Sequence, residues 1–437
     1  MLKGKTVAPL TLGCKVNQYE TDGMIELLKE AGMTAVSFEE KADVYLINTC
    51  SVTNMADKKS RQMIHRAKKL NPDAVVIAAG CYVQAAKDKL MEDDRISIII
   101  GNNKKKDIVQ ILEDYLEIGV TDEGMLDIAA EKEYEPLTIN STLEHTRAYV
   151  KIQDGCNQFC SYCIIPYVRG RIRSRELASI TEEVERLAQT GVKEIVLTGI
   201  HISSYGNDKE NEVGLADVID AISKIESIER IRLGSLEPGI ITDTFIDRIV
   251  DNKKVCPHFH LSLQSGCNTV LKRMNRKYTC EEYFEKCEML RKAFDRPALT
   301  TDVIVGFPGE TDEEFQETVD YLTKLNLYEM HIFKFSPRQG TVAAGMRNQI
   351  GPEIKNQRSD VLLALSEKNK HAYEASFRGE TLEVLIEEKV RRNGKDGYRG
   401  HTERYIDIFV EKECMHRICG REVDIINHIV QIPYGME

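Results

Sequence analysis

The apolar positions of this chain gather into short runs of strand length, set between stretches with helical spacing. In the N-terminal part the runs are "TVAPLTLG", "ADVYLIN", "AVVIAAG" and "ISIIIG". Unbroken apolar runs bounded by glycine and polar residues predict strands buried on both faces. Between them lie amphipathic segments such as "ETDGMIELLKEAG", whose terminal glycine is a helix stop. Alternation at about 30 to 35 residues predicts βαβ units on a parallel, doubly wound sheet, an α/β domain over 1–118. The stretch 119–145 is polar and acidic with weak periodicity, and is expected to be a linker.

From 146 the pattern restarts with "AYVKIQDG", "EIVLTGI", "RIRLGSLEP", "HFHLSLQSG", "TTDVIVGFPG" and "EMHIFKFSP". Six strand signals separated by helical ones predict a (β/α) barrel, complete or incomplete. One long helix, "KNQRSDVLLALSEKNKHAYEASF", closes this second domain at 374. Over 375–437 the runs "TLEVLIEEKV", "GYRGHTERYIDIFV" and "REVDIINHIVQIP" predict a small antiparallel β barrel.

A chain of 437 residues is too long for one core, in keeping with three domains. No apolar stretch approaches the ~20 residues that cross a bilayer, and the N-terminus lacks the apolar segment of a secretory leader. A cytoplasmic protein with no membrane attachment is expected, with monomer as the default state. In a reducing compartment, twelve cysteines point to metal ligands and packed thiols rather than disulfides. The net charge of −11 argues against nonspecific attraction to nucleic acid. Local charge differs. Lys58, Lys59, Arg61 and Arg66 lie in "KKSRQMIHRAKK", Arg169, Arg171 and Arg173 in "RGRIRSR", and Lys272 and Arg273 in "KRMNRK". Three such runs on an acidic chain predict a discrete surface for an anionic partner.

The densest chemistry is in "DGCNQFCSYCIIPYVRGRIRSR", where Cys156, Cys160 and Cys163 follow a strand with C-x3-C-x2-C spacing. Three thiolates on one loop can grip one metal centre. A structural zinc would need a fourth ligand, and the nearest histidines are His145 and His201. A 4Fe-4S cluster on three cysteines leaves one iron open to a small ligand; a zinc loop closed by a distant residue is the alternative. Cys14, Cys50 and Cys81 each end a predicted parallel strand, 36 and 31 residues apart. The carboxyl ends of parallel strands share one sheet edge, where open α/β folds bind ligands, so these thiols are expected to meet there. Cys280 and Cys287 share a helix face, and Cys256, Cys267, Cys414 and Cys419 show no common geometry; packing accounts for all six, and His258 and His260 need not be ligands.

The C-x3-C-x2-C loop before a (β/α) barrel resembles the radical S-adenosylmethionine (SAM) superfamily. That resemblance implies SAM on the open iron, Tyr162 beside the adenine, and further SAM contacts from Thr198, Gly199, Ser235, Glu237, Gln264 and Gly306 at barrel strand ends. With "TLGCKVNQYETD", "INTCSVTN", "AAGCY", "LQSG", "VLKRMNRKYT" and "DVIVGFPGETDEEF", the whole chain resembles the methylthiotransferase family. The tail resembles its TRAM domain, an RNA-gripping module, in compressed and slightly acidic form. The resemblance implies two 4Fe-4S clusters. One on Cys14, Cys50 and Cys81 carries the sulfur to be inserted, and one on Cys156, Cys160 and Cys163 generates the radical from SAM. An unidentified electron donor and sulfur source are also implied. "LGCKVNQYE", "TGIHISSYG" and "NRKYT" resemble the threonylcarbamoyladenosine subgroup, rather than the isopentenyladenosine or ribosomal-protein subgroups. The implied substrate is a tRNA anticodon loop, methylthiolated at position 37. The rival from another class is a noncatalytic metal-cluster protein that binds RNA.

Overall fold

The computed structural model describes residues 1–119, 125–140, 146–210, 213–419 and 425–435. The first four apolar runs become strands β1 (Thr6–Thr11), β3 (Val44–Thr49), β4 (Val75–Gly80) and β5 (Ile98–Ile100), with a short β2 (Thr34–Ala35) at the edge. All pair in parallel, in the order β2-β1-β3-β4-β5. The unbroken apolar character of "VYLIN" has a plain cause: all of β3 is buried, one face in each of two helix-covered cores. Helices α1 (Lys15–Glu30), α2 (Asn54–Leu70) and α3 (Cys81–Ala85) each leave the carboxyl end of one of these strands. The hydroxyl of Thr53 caps α2 by accepting from the Ala56 N–H, and Asp57 in the first turn complements the helix dipole.

All six predicted barrel strands form: β6 (Arg147–Asp154), β8 (Glu194–Gly199), β9 (Arg230–Leu233), β10 (His258–His260), β11 (Ala298–Val305) and β12 (Glu329–Lys334). The two-residue strand β7 (Arg173–Ser174) pairs antiparallel with β6. Sheets β6-β8-β9 and β10-β11-β12 are parallel, and bridges from Ile231 to Val255 and from Leu236 to Leu261 join them. Among the described residues β6 and β12 do not pair, so the barrel is open; α1 lies against β6 and β8.

Alternate residues set the character of the two faces. Ala148, Val150, Ile152, Ile195, Leu197, Ile231, Leu233, Leu299 and Val303 pack outward under the helices in one continuous core. Their neighbours, facing inward, are Arg147, Tyr149, Glu194, Arg232, His258, His260, Asp302 and His331. The barrel is therefore apolar outside and polar inside, a lumen rather than a filled core.

The tail, expected to be a small β barrel, is over the described residues a curled antiparallel sheet. Strands β13 (Thr381–Arg392), β14 (Lys395–Thr402), β15 (Asp407–Glu411) and β16 (Ile429–Pro433) run in the order β15-β14-β13-β16 about their own core. Arg230 donates to the carbonyls of His401 (3.1 Å) and Glu383 (2.9 Å), and Arg232 to those of Glu403 (2.9 Å) and Thr402 (3.2 Å). These bonds seat the sheet at the amino-terminal end of the barrel strands.

The expected linker is not a loose tether where it is described. Leu137 and Ile139 enter the barrel core, and the Tyr19 hydroxyl donates to the Leu137 carbonyl at 2.5 Å. Two apolar anchors in a polar stretch are too few to register as periodicity. Residues 120–124 and 141–145, His145 among them, lie outside the described residues.

Candidate active site

Cys14, Cys50 and Cys81 do converge. Cys14 is the N-cap of α1, Cys50 follows β3, and Cys81 opens α3 directly after β4. The register aligns these strand ends, with Thr11 opposite Asn48 and Thr49 opposite Gly80. Asn17 ties the first two loops together, its side-chain amide donating to the carbonyls of Leu12 (2.7 Å) and Thr49 (3.0 Å). Two glycines permit the approach. A Cβ on Gly13 would lie 2.8 Å from the Cys50 sulfur, and one on Gly80 2.4 Å from Asn48 Oδ1. Gly80 also has φ +95°, a region that L side chains avoid. Gly80→Ala is therefore expected to cost roughly 2–5 kcal/mol, from backbone strain plus overpacking beside Cys81. Denaturant unfolding measures it; an unchanged midpoint would contradict this account.

A buried charged cluster abuts the triad. Arg169 donates to Glu20 Oε1 (2.7 Å), to Asp154 (3.1 Å), to Asn17 Oδ1 (2.8 Å) and, through Nε, to the Cys81 sulfur (3.2 Å). Lys105 (2.5 Å) and Lys151 (2.7 Å) also reach Glu20, Lys151 reaches Asp154 at 2.6 Å, and Arg173 lies 3.7 Å from Asp154. Burial alone would raise both carboxyl groups, but the surrounding cations dominate and hold Glu20 and Asp154 well below the usual carboxylate range. Four buried cations stand against these two carboxylates and the buried Glu135 near Lys105 and Lys151, an excess that an uncharged thiol does not relieve. Thiolates on an anionic cluster would balance it, so the charge of this site fits an iron–sulfur group.

This cluster corrects part of the expected RNA surface. Arg169 and Arg173 are both 0% exposed and cannot meet a polyanion. Arg273 is held by Glu314 through two 2.7 Å bonds and is half-buried. Alternation in "RGRIRSR" has another cause: Arg169, Arg173 and Arg175 turn inward to Glu20, Asp154 and Glu183, while Arg171 between them faces out. Arg171, Lys58, Lys59, Arg61, Arg66 and Lys272 are exposed. Of these, Arg66 pairs with Glu39, and Arg61 donates to the Tyr82 hydroxyl at 2.8 Å.

The second triad lies on the loop from β6 to the helix Ile165–Arg169. Gly155 starts it with φ +72°, where a Cβ would fall 1.7 Å from the Arg171 carbonyl oxygen. Cys156 and Cys160 are buried and Cys163 half-buried. The loop is pinned from the barrel side: Ser161 N–H donates to the Met274 carbonyl (3.0 Å), and the Asn275 side chain to the Phe159 carbonyl (2.9 Å). Arg276 donates to the Cys160 sulfur at 3.1 Å, to both oxygens of Glu237 (2.6 and 2.7 Å), and to the Tyr278 hydroxyl (2.8 Å). Burial pushes the Cys156 thiol up to about 11 and the Cys163 thiol to about 12, so free thiols here are neutral and a metal must displace their protons.

Around this loop stand the expected cofactor residues, at the carboxyl ends of the strands. Thr198 and Gly199 end β8, and Ser235 and Glu237 follow β9. Gln264 (φ +76°) follows β10, and Gly306 (φ +69°) follows β11. Tyr162 packs on a small cluster of Cys267, Val270, Met274, Phe307, Phe335 and Ala343. The other six cysteines are buried or half-buried. Sequence reasoning missed Arg276 and Tyr278, visible only as part of "NRKYT", and the buried partners Asn17, Glu20 and Asp154.

Among the described residues, the only His, Cys, Asp or Glu ligand atoms that lie in threes within 4.8 Å of one another belong to His260, Asp302 and His331. Both cysteine triads are wider.

A family model described as the radical SAM superfamily matches residues 150–322, and one described as uncharacterized protein family UPF0004 matches residues 6–101. Over 430 residues the chain is 42% identical to the threonylcarbamoyladenosine tRNA methylthiotransferase MtaB of Bacillus subtilis, covering 98% of this chain and 93% of that protein. The chain belongs to the radical SAM methylthiotransferase family. This methylthiotransferase is also 40% identical to the protein of the same name from Aquifex aeolicus, over 92% of this chain and 96% of that one. It is 35% identical to the tRNA-2-methylthio-N(6)-dimethylallyladenosine synthase of Thermodesulfovibrio yellowstonii, over 93% of this chain and 94% of that one. Among solved structures, the radical SAM methyltransferase TsrM of Kitasatospora setae shares the fold, with a TM-score of 0.57 and 15% identity over 78% of this chain and 77% of that one. Membership makes the methylthiotransferase a SAM-dependent iron–sulfur enzyme. No described helix is long and apolar enough to cross a membrane.

Proposed function

We propose that this methylthiotransferase adds a methylthio group at C2 of N6-threonylcarbamoyladenosine, at position 37 of tRNA, as a cytoplasmic monomer served by a separate electron donor and sulfur source. The observation that carries the reading is the near-full-length identity, 42% and 40%, to two proteins named for that reaction. Cys156, Cys160 and Cys163 would hold the SAM-binding cluster, and Cys14, Cys50 and Cys81 the auxiliary one. When bound, SAM and the two clusters supply the electron, the hydrogen abstraction and the sulfur.

The chain supplies position and charge. Arg276 donates to Cys160 and joins it to Glu237 and Tyr278, so the loop and the strand ends move as one unit. Arg169 performs the same service for Cys81 while locking the N-terminal domain to the barrel. Arg338, in the loop after β12, reaches Ser51 Oγ (2.7 Å), Asn54 Oδ1 (2.7 Å) and Asp57 (2.7 Å), and so fixes the Cys50 loop to the far rim. Each triad is thus tied to the barrel by an arginine, and α2 presents Lys58, Lys59 and Arg61 on an exposed surface suited to phosphate contacts.

Nucleoside mass spectrometry of tRNA from a deletion strain tests the reading. The 2-methylthio-N6-threonylcarbamoyladenosine signal is expected to vanish and the unthiolated nucleoside to accumulate. Its persistence, with loss of a different methylthiolated nucleoside, would refute the choice of substrate.

A further inference from the structure

Lys15, the first residue of α1 and the neighbour of Cys14, extends into the barrel lumen. Its ammonium lies 5.9 Å from the centre of the Tyr149 ring, and it interacts electrostatically with Arg147 on β6, Glu194 on β8, Arg232 on β9, His258 on β10 and His331 on β12. The ring contact sets this side chain over the inward-facing Tyr149 of β6. Cys14 and Lys15 are exposed to the space in front of the inward face of β6, against which α1 packs.

The carboxylates near Lys15 are already engaged. Glu194 is held by Arg232 at 2.8 Å, Glu387 lies 3.6 Å from Arg147, and Asp302 stands between His260 (3.4 Å) and His331 (3.2 Å). Among the described residues Lys15 has no ion pair and no hydrogen-bond acceptor; the Tyr149 ring is its one polar contact. A cation without an ion-pair partner in the protein is available for a charge-assisted contact with an arriving anion.

The threonylcarbamoyl substituent carries a carboxylate, and a dimethylallyl substituent carries no charge. We infer that Lys15 is a specificity-determining residue of this enzyme, forming with the Tyr149 face a subsite for the substrate carboxylate beside the Cys14 triad. The inference rests on the substrate proposed above. Neutralising an unpaired lumen cation by one charge-assisted contact is worth roughly a 10- to 100-fold preference in affinity.

The test uses full-length enzyme with both clusters reconstituted and iron content matched. The probes are anticodon stem-loop RNAs carrying N6-threonylcarbamoyladenosine, its carboxylate methyl ester, or unmodified adenosine. Wild type should bind the free acid about 10- to 100-fold more tightly than the ester. Lys15→Gln should bind acid and ester equally, and Lys15→Arg should restore part of the preference. A wild-type enzyme blind to esterification overturns the inference without recourse to any variant. So does a Lys15→Gln enzyme that keeps wild-type discrimination. Failure of the substrate reading shows separately, in the product: methylthiolation of dimethylallyladenosine RNA and none of threonylcarbamoyladenosine RNA.

Discussion

Replacement of Glu20 by alanine is expected to cost about 3–5 kcal/mol, a large share of the stability of any domain of this size. Glu20 is fully buried and accepts from Arg169, Lys105 and Lys151, two of which belong to the barrel and one to the N-terminal domain. Without it, Arg169 and Lys151 keep Asp154, and Lys105 loses its 2.5 Å ion pair. Glu20→Gln keeps the volume and removes the charge, so a comparable loss in both variants assigns the effect to electrostatics rather than to a cavity. Chemical denaturation followed by circular dichroism measures it; a loss under 1 kcal/mol would show that water or rearranged partners solvate these cations. The same carboxyl groups set an acid limit. Glu20 and Asp154 are depressed in the folded state, so their contribution is complete above the ordinary carboxylate range. It is lost as pH falls below about 4. Unfolding midpoints should therefore fall steeply below that pH in wild type and less steeply in Glu20→Gln.

Joint replacement of Cys156, Cys160 and Cys163 by alanine is expected to abolish SAM cleavage while leaving the fold. The three side chains are small, and the loop stays held by Ser161, Asn275 and Gly155. Iron in the anaerobically reconstituted protein should drop from about eight to about four per chain, as befits loss of one of two cubanes. Formation of 5′-deoxyadenosine should fall below detection. Zinc without iron in the wild-type protein, or 5′-deoxyadenosine from the triple variant, would remove these cysteines from the assigned role. The corresponding replacement of Cys14, Cys50 and Cys81 should halve iron in the same way. SAM cleavage should survive it, because none of the three belongs to the loop that Arg276 holds.

The strands, their order of use and the place of Cys14, Cys50 and Cys81 at strand ends were legible in the amino-acid pattern. Apolar runs such as "VYLIN" and "VVIAAG" can only be doubly buried parallel strands, and the cysteine after each such run must lie on the shared carboxyl edge. Local chemistry was enough there, because the spacing of a βαβ unit fixes which residues end side by side. Long-range pairing was hidden. That Arg169 and Arg173 are interior, that Arg276 clasps Cys160, and that Leu137 anchors a polar stretch depend on partners far away in the chain. An arginine in sequence looks alike whether it meets solvent or a buried carboxylate. The polar lumen is the clearest case. Alternation along each strand announces two faces, but only the curling of six strands into an open barrel decides which face turns inward. The residue after the first cysteine is likewise an ordinary lysine in the sequence. Only the folded barrel sets it over the Tyr149 ring with no ion pair among the described residues.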